Sequence, residues 1–161
     1  MADLLTHVLV AYVLATLLSL RDERVTPAAV TLAMVGAAVP DFNRLDLLVS
    51  DEAIATELGL PFSWKALLTV GGVAVVLIIG TLLVAPRYRR QLAAMGGLGA
   101  ASHFALDYLL LFPSGYTHPY LWPLTDHALP GPNFYVSSAR WPAAVAVVIA
   151  TLIAVVHRQD D

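Results

Sequence analysis

Long apolar stretches, separated by short polar turns, constrain the fold of this chain more than any other feature of its sequence. Hydrophobic residues make up 58% of the 161 residues and charged residues only 13%, whereas a soluble domain is nearer half apolar and a quarter charged. An apolar helix of about 20 residues is long enough to cross the hydrocarbon core of a bilayer. The composition therefore predicts an all-α integral membrane protein, a helical bundle that forms a single membrane domain over residues 1–161.

The apolar stretches predict about five transmembrane helices. They fall at residues 4–20, 27–39, 63–85, 91–112 and 141–156. Segment 43–61 mixes leucines with carboxylates and is too charged to span, so we expect an interfacial segment there. The loop at 113–140 is rich in proline, glycine and aromatic residues, which suits a long extracytoplasmic loop at the headgroup level.

Net charge and cysteine content exclude several classes of protein. The formal charge of -3 gives no basic face of the kind that binds nucleic acid. The sequence has no cysteine, so it has no disulfide framework, thiolate metal site or cysteine nucleophile. Any metal would be held by nitrogen and oxygen atoms of histidine, aspartate, glutamate or asparagine.

A histidine and a carboxylate lie inside the fourth apolar stretch. His103 and Asp107 are four residues apart, so a helix would project both side chains from one face, about 6 Å apart along its axis. Ionisable side chains in an intramembrane position mark a functional site by default. The spacing suits two ligands of one metal, or a base and its orienting acid. A His–Asp hydrogen bond that joins two helices is the structural alternative.

The distribution of basic residues predicts an orientation in a cell membrane. If the loop that contains Arg87 is cytoplasmic, six of the nine basic residues lie inside: Arg21, Arg24, Arg87, Arg89, Arg90 and Arg158. The positive-inside rule then places the amino terminus outside and the carboxyl terminus inside. Asp41 and four of the five histidines would lie towards the outer face, and these histidines are His7, His103, His118 and His127. We therefore expect a site that faces outside.

Several short motifs, taken in order, resemble a known family. They are Thr6-His7, Val39-Pro40-Asp41-Phe42-Asn43, Ser102-His103-Phe104-Ala105-Leu106-Asp107, Ser114-Gly115 and Leu121-Trp122-Pro123. This ordered set covers most of the chain and resembles the YdjM-like family of membrane-bound, metal-dependent hydrolases. The order His, Asp, His-x-x-x-Asp is also similar, more distantly, to the zinc-dependent phospholipase C family.

The resemblance implies hydrolysis of a phosphoester, in a phospholipid of the bilayer or in another compound, at a metal site. Carried over by position, it implies four metal ligands: His7, Asp41, His103 and Asp107. Two imidazoles and two carboxylates suit Zn²⁺, with Mn²⁺ and Fe²⁺ as alternatives. Asp107 is also a candidate general base, and His118 and His127 are candidates for acid–base catalysis or for ligation.

The chain departs from the YdjM-like pattern at two places. Asn43 and Arg44 stand where the pattern has aspartate and histidine, and residues 61–64 lack the family's next histidine motif. A single-metal site, a site completed by His118 or His127, and a non-catalytic protein with a structural His–Asp cluster all remain open. A transporter with a proton relay ranks last, because the third and fifth apolar stretches carry no interior charge.

Overall fold

The structure, a computed structural model that describes residues 3–157, is helical in all its regular elements. Its six α-helices are α1 (Leu4–Ser19), α2 (Pro27–Ala38), α3 (Asp51–Leu58), α4 (Val70–Leu83), α5 (Pro86–Tyr108) and α6 (Trp141–His157). Two 3₁₀ helices, Val39–Leu47 and Trp64–Leu68, follow α2 and precede α4. Arg158, one of the basic residues predicted to face the cytoplasm, is not among the described residues.

Side-chain caps fix where four of the α-helices begin. Asp3 accepts a hydrogen bond from the amide of Thr6 at the start of α1. Thr26, Ser50 and Thr69 cap α2, α3 and α4 in the same way. These residues satisfy amide groups that would otherwise lack a partner in the first turn of a helix.

The prediction of five transmembrane helices is wrong. Within residues 3–157, no helix is both long enough and apolar enough to cross a membrane. Helix α1 has 16 residues, about 24 Å of helix, against a hydrocarbon core of about 30 Å. Of the described helices only α5, with 23 residues, is long enough, and its first turns carry Arg87, Arg89 and Arg90. The same finding corrects three further predictions. These are the membrane-spanning bundle, its multi-pass location in a cell membrane and its outward-facing site.

Local hydrogen bonds explain why the predicted third span, 63–85, is divided. Thr69 caps α4 through the amide of Gly72, so the second 3₁₀ helix and α4 are separate elements. The amide of Val70 also donates to the carbonyl of Tyr120, at 2.7 Å. The predicted interfacial segment, 43–61, holds α3 and the end of the first 3₁₀ helix.

Glycines allow α2 and α5 to pack with their backbones in contact. A Cβ atom on Gly99 would collide with the carbonyl oxygen of Ala33, and one on Gly36 would collide with the backbone of Gly96. Any larger residue at these positions would separate the two helices. This close approach brings the carbonyl group of Ala37, near the end of α2, within reach of the side chains of α5.

Helix α5 lies at the centre of the bundle because it packs against α1, α2 and α4, while α6 packs against α1. One buried apolar cluster joins α1, α2 and α5 through Ala15, Ala29, Val30, Ala33 and Met95. The outer faces of α4 and α6 expose large apolar side chains, among them Ile78, Ile79, Leu82, Val148 and Leu152. Helix α5 thus presents side chains to both α1 and α2.

The segment after α5, residues 109–140, is ordered by its own backbone hydrogen bonds. Leu111 donates to the carbonyl of Tyr135 at 2.7 Å, and Thr117 donates to that of Leu129 at 2.8 Å. The hydroxyl of Tyr135 donates to the carbonyl of Leu106 in the last turn of α5. The segment is thus anchored beside the end of α5 that carries His103 and Asp107.

Candidate metal centre

The first turn of α1 positions His7. Asp3 accepts hydrogen bonds from both the amide of Thr6, at 2.9 Å, and its hydroxyl, at 2.8 Å. Because a capped first turn is held against fraying, the residue that follows has a fixed direction. His7 is fully buried where α1 meets α5, so its imidazole has little room to move.

The last turns of α5 position His103 and Asp107. They stand four residues apart on one helix face, and His103 Nε2 lies 3.4 Å from Asp107 Oδ2. Only 1% of the surface of His103 and 2% of that of Asp107 are exposed. The spacing that the sequence indicated therefore produces a buried pair.

Helix α1 adds its histidine to this pair. The rings of His7 and His103 are stacked, with their centroids 3.6 Å apart and an interplanar angle of 15°. His7 Nε2 lies 3.4 Å from Asp107 Oδ1, the other oxygen of the same carboxylate. Each oxygen of Asp107 therefore faces one histidine, and one ligand atom from each of the three residues lies within 4.8 Å of the others.

A backbone contact fixes the tautomer of His103. Its Nδ1 lies 2.8 Å from the carbonyl oxygen of Ala37, and a carbonyl oxygen can only accept, so Nδ1 carries the proton. In the neutral ring, Nε2 then has a lone pair and faces an oxygen of Asp107, which is also an acceptor. This is the arrangement found for histidine ligands, whose second nitrogen donates to a carbonyl group.

Two facing acceptors in a buried site need a cation between them. Within the described residues, neither ring nitrogen of His7 nor Nε2 of His103 has a hydrogen-bond partner, although buried polar atoms are almost always paired. The cation is either a second proton on an imidazole or a metal ion.

The surroundings of Asp107 favour the ionised, carboxylate form of its side chain. Burial by itself raises the pKa of Asp107, but its contacts with His103 and His7, and their charge, outweigh burial and hold its pKa below the ordinary range. An ionised carboxylate beside imidazole nitrogens is the donor set that Zn²⁺ and similar divalent ions bind.

Asp41, predicted as a fourth ligand, lies near this group but is not one of its members. It is buried in the first 3₁₀ helix, and its Oδ1 lies 3.2 Å from Nη2 of Arg44. Burial raises its pKa, and the charges of His103, Arg44 and His7 offset part of that effect. In the described chain, the group with metal-ligand spacing consists of His7, His103 and Asp107 alone.

The structure does not bring His118 and His127 to the three-residue group. Both are exposed in the segment after α5. The ring of His118 lies edge-on to Phe112 and Tyr120, and the amide of His127 donates to the hydroxyl of Thr125. Neither is positioned to complete the metal centre as described.

Sequence reasoning missed two partners of the site. Arg44 was noted only as a departure from the family pattern, yet it forms an ion pair with Asp41. The carbonyl of Ala37 carries no sequence signal as an acceptor. Its signal is indirect, in the small residues of α2 and α5 that permit the helices to touch.

Comparison with protein-family models, with curated proteins and with solved structures found no match to this chain. The resemblance to the YdjM-like family therefore stays a prediction.

Proposed function

We propose that this protein is a metal-dependent hydrolase that acts on a phosphoester and holds one divalent ion, zinc by preference, on His7, His103 and Asp107. The observation that supports the proposal is the convergence of two imidazole Nε2 atoms on one buried carboxylate. Two histidines and a carboxylate are a ligand set used by catalytic zinc sites, which keep their fourth position open.

The residues around the ion have separate roles in this proposal. When bound, the ion would polarise a phosphoryl oxygen and supply a water of lowered pKa as the nucleophile. The carbonyl of Ala37 keeps Nδ1 of His103 protonated, so its Nε2 stays available. Arg44, about half exposed beside Asp41, presents a guanidinium of the kind that binds phosphoryl oxygens in a bidentate manner.

Binding requires a small rearrangement of the two rings. Imidazole lone pairs lie in the ring plane, and the rings of His7 and His103 are nearly parallel at 3.6 Å. Their lone pairs therefore point side by side, and both can reach one ion only if the rings tilt apart. We expect the tilt to fall on His7, because His103 is held by its bond to Ala37.

A second function is favoured by one observation, the burial of the site. His7 has no exposed surface, and His103 and Asp107 are almost fully buried. Closed sites are typical of structural metal ions, whereas catalytic ions must be reached by water and substrate. The second candidate is therefore a non-catalytic protein in which the ion, or the His–Asp cluster itself, joins α1 to α5.

Hydrolysis of a generic phosphoester separates the two functions. The purified full chain, loaded with Zn²⁺ or Mn²⁺, is assayed with p-nitrophenyl phosphate and bis(p-nitrophenyl) phosphate. The hydrolase proposal expects turnover that Asp107→Asn abolishes and that Asp126→Asn, an exposed carboxylate of the loop, leaves unchanged. Bound metal without turnover of either compound would reject the hydrolase and support the structural role.

A further inference from the structure

A cavity of about 620 Å³ lies between the two 3₁₀ helices and the segment that follows α5. Its polar lining residues are Asn43, Asp46, Lys65, Thr69 and His118, and Trp122 adds an aromatic wall. Cavities of this size, with a few convergent polar groups and an aromatic surface, are typical of small-molecule sites.

The first 3₁₀ helix places two of these polar groups together. In a 3₁₀ helix, side chains three residues apart are eclipsed, so Asn43 and Asp46 share one face of Val39–Leu47. The amide oxygen of Asn43 is buried and accepts no hydrogen bond from the described residues. Both side chains offer acceptors to a ligand that carries hydrogen-bond donors.

The opposite wall is held in place by backbone contacts with α4. The amides of Val70 and Gly71 donate to the carbonyls of Tyr120 and Trp122, at 2.7 and 2.9 Å. A Cβ atom on Gly71 would collide with the ring of Pro123. The wall that carries Trp122 is therefore fixed against the bundle.

A chain of aromatic contacts connects this cavity to the metal centre. His118 contacts the ring of Tyr120, which contacts Phe104, which contacts His103, with centroid separations of 6.1, 5.7 and 5.9 Å. Asn43 is also only two residues from Asp41 along the first 3₁₀ helix. His118 in the cavity is thus linked to His103 through two intervening rings, and none of the three proposed ligands lines the cavity itself.

We infer that this cavity binds a water-soluble organic phosphate with an aromatic ring, such as a nucleoside monophosphate. Lys65 and His118 contact the phosphate, the ring packs on Trp122, and Asp46 and the Asn43 amide oxygen accept hydrogen bonds from the ligand. This assignment rests on the proposed function for the fate of the ligand, but binding itself requires no turnover.

Calorimetric titration of the full chain with adenosine monophosphate tests the assignment. Adenosine and inorganic phosphate serve as the two half-ligands, and each should bind at least about tenfold more weakly than the whole. Lys65→Ala should weaken binding of the monophosphate by about tenfold or more, since a hydrogen bond to a charged group is lost. Lys65→Arg should restore most of the affinity.

Arg21→Ala, which removes a cation from the turn after α1, is the matched control and should leave the affinity unchanged. Equal binding of the monophosphate and adenosine, or full binding by Lys65→Ala, would overturn the inference. Binding without any hydrolysis by the metal-loaded protein would keep the pocket and reject the proposed function. Hydrolysis of the monophosphate with a KM that Lys65→Ala does not change would keep the proposed function and reject the pocket.

Discussion

At the scale of single residues, Asp107 is the group on which the site depends. Each of its oxygens lies 3.4 Å from an imidazole nitrogen, so loss of this carboxylate removes the acceptor that both histidines face. Asp107→Asn keeps the size of the side chain but removes the charge. We expect its affinity for zinc to fall by at least about a hundredfold, since loss of groups outside the metal shell already costs 10–100-fold.

Competition with a fluorescent zinc chelator measures this affinity. Asp126→Asn is the control, because it removes an exposed carboxylate of the loop and should bind zinc as the unmodified protein does. A zinc affinity for Asp107→Asn within a few-fold of the unmodified value would show that the carboxylate is not a ligand.

Much of this residue-scale arrangement could be predicted from the sequence, and the part that could not depends on backbone geometry. The i, i+4 spacing of His103 and Asp107 indicated a shared helix face, and His7 joined them through the order of motifs. The Ala37 carbonyl was hidden because backbone acceptors have no residue type. In the sequence, Arg44 stood out only because it departs from the YdjM-like pattern. Its ion pair with Asp41 depends on the turn of the first 3₁₀ helix.

At the scale of elements, the contact between α2 and α5 sets the position of His103. Gly99→Ala places a methyl group against the Ala33 carbonyl oxygen and should destabilise the fold by about 1–3 kcal/mol. Gly97→Ala, two residues away in the same helix, meets open space and should stabilise by about 0.5–1 kcal/mol. Chemical denaturation of both variants measures the difference, and equal effects would contradict the close approach of the helices.

A second element-scale contact joins α3 to the second 3₁₀ helix through Asp51. Its carboxylate accepts hydrogen bonds from the amide of Trp64, at 2.9 Å, and the hydroxyl of Ser63, at 2.8 Å. These bonds hold the pKa of Asp51 below the ordinary range of an aspartate. Because the folded-state pKa is the lower one, the stabilisation is present above pH 4 and is lost as the pH falls through the folded-state pKa.

Thermal unfolding at a series of pH values checks this contact. Asp51→Asn should unfold at a lower temperature than the unmodified protein at pH 7, and the difference should shrink as the pH falls below about 4. Glu52→Gln, at the neighbouring position of α3, is the control. A difference that stays constant with pH would mean that the charge of Asp51 has no part in the contact.

The helices themselves could be predicted more reliably than their lengths. All five predicted spans overlap α-helices, because apolar runs and caps such as Thr26-Pro27 are local signals. The division of 63–85 at Thr69 was missed. Its cause is partly distant in sequence, since the amide of Val70 bonds to Tyr120 some 50 residues away.

At the scale of the whole molecule, composition was a poor guide to the length of the helices. A mean hydropathy of +0.74 reports how apolar the chain is, whereas crossing a bilayer requires that the apolar residues form one unbroken helix. Here they are divided among helices of 12 to 17 residues, apart from the shorter α3 and the arginine-bearing α5. The membrane prediction failed at that step.

Metal binding should also stabilise the whole molecule, because the proposed ligands come from α1 and α5. An ion that binds only the folded chain adds about 2.7 kcal/mol at a hundredfold excess over its Kd. Removing metal with a chelator should therefore lower the unfolding temperature of the unmodified protein but not that of His7→Ala. Equal shifts in both proteins would show that the chelated ion sits elsewhere.

The metal content of the purified protein, measured beside that of His103→Ala and His127→Ala, tests the proposed metal centre. We expect about one divalent ion per chain in the unmodified protein and in His127→Ala, whose histidine is exposed in the loop. In His103→Ala the ion should be absent. No bound ion in the unmodified protein after zinc supplementation, or an undiminished ion in His103→Ala, would contradict the proposed metal centre.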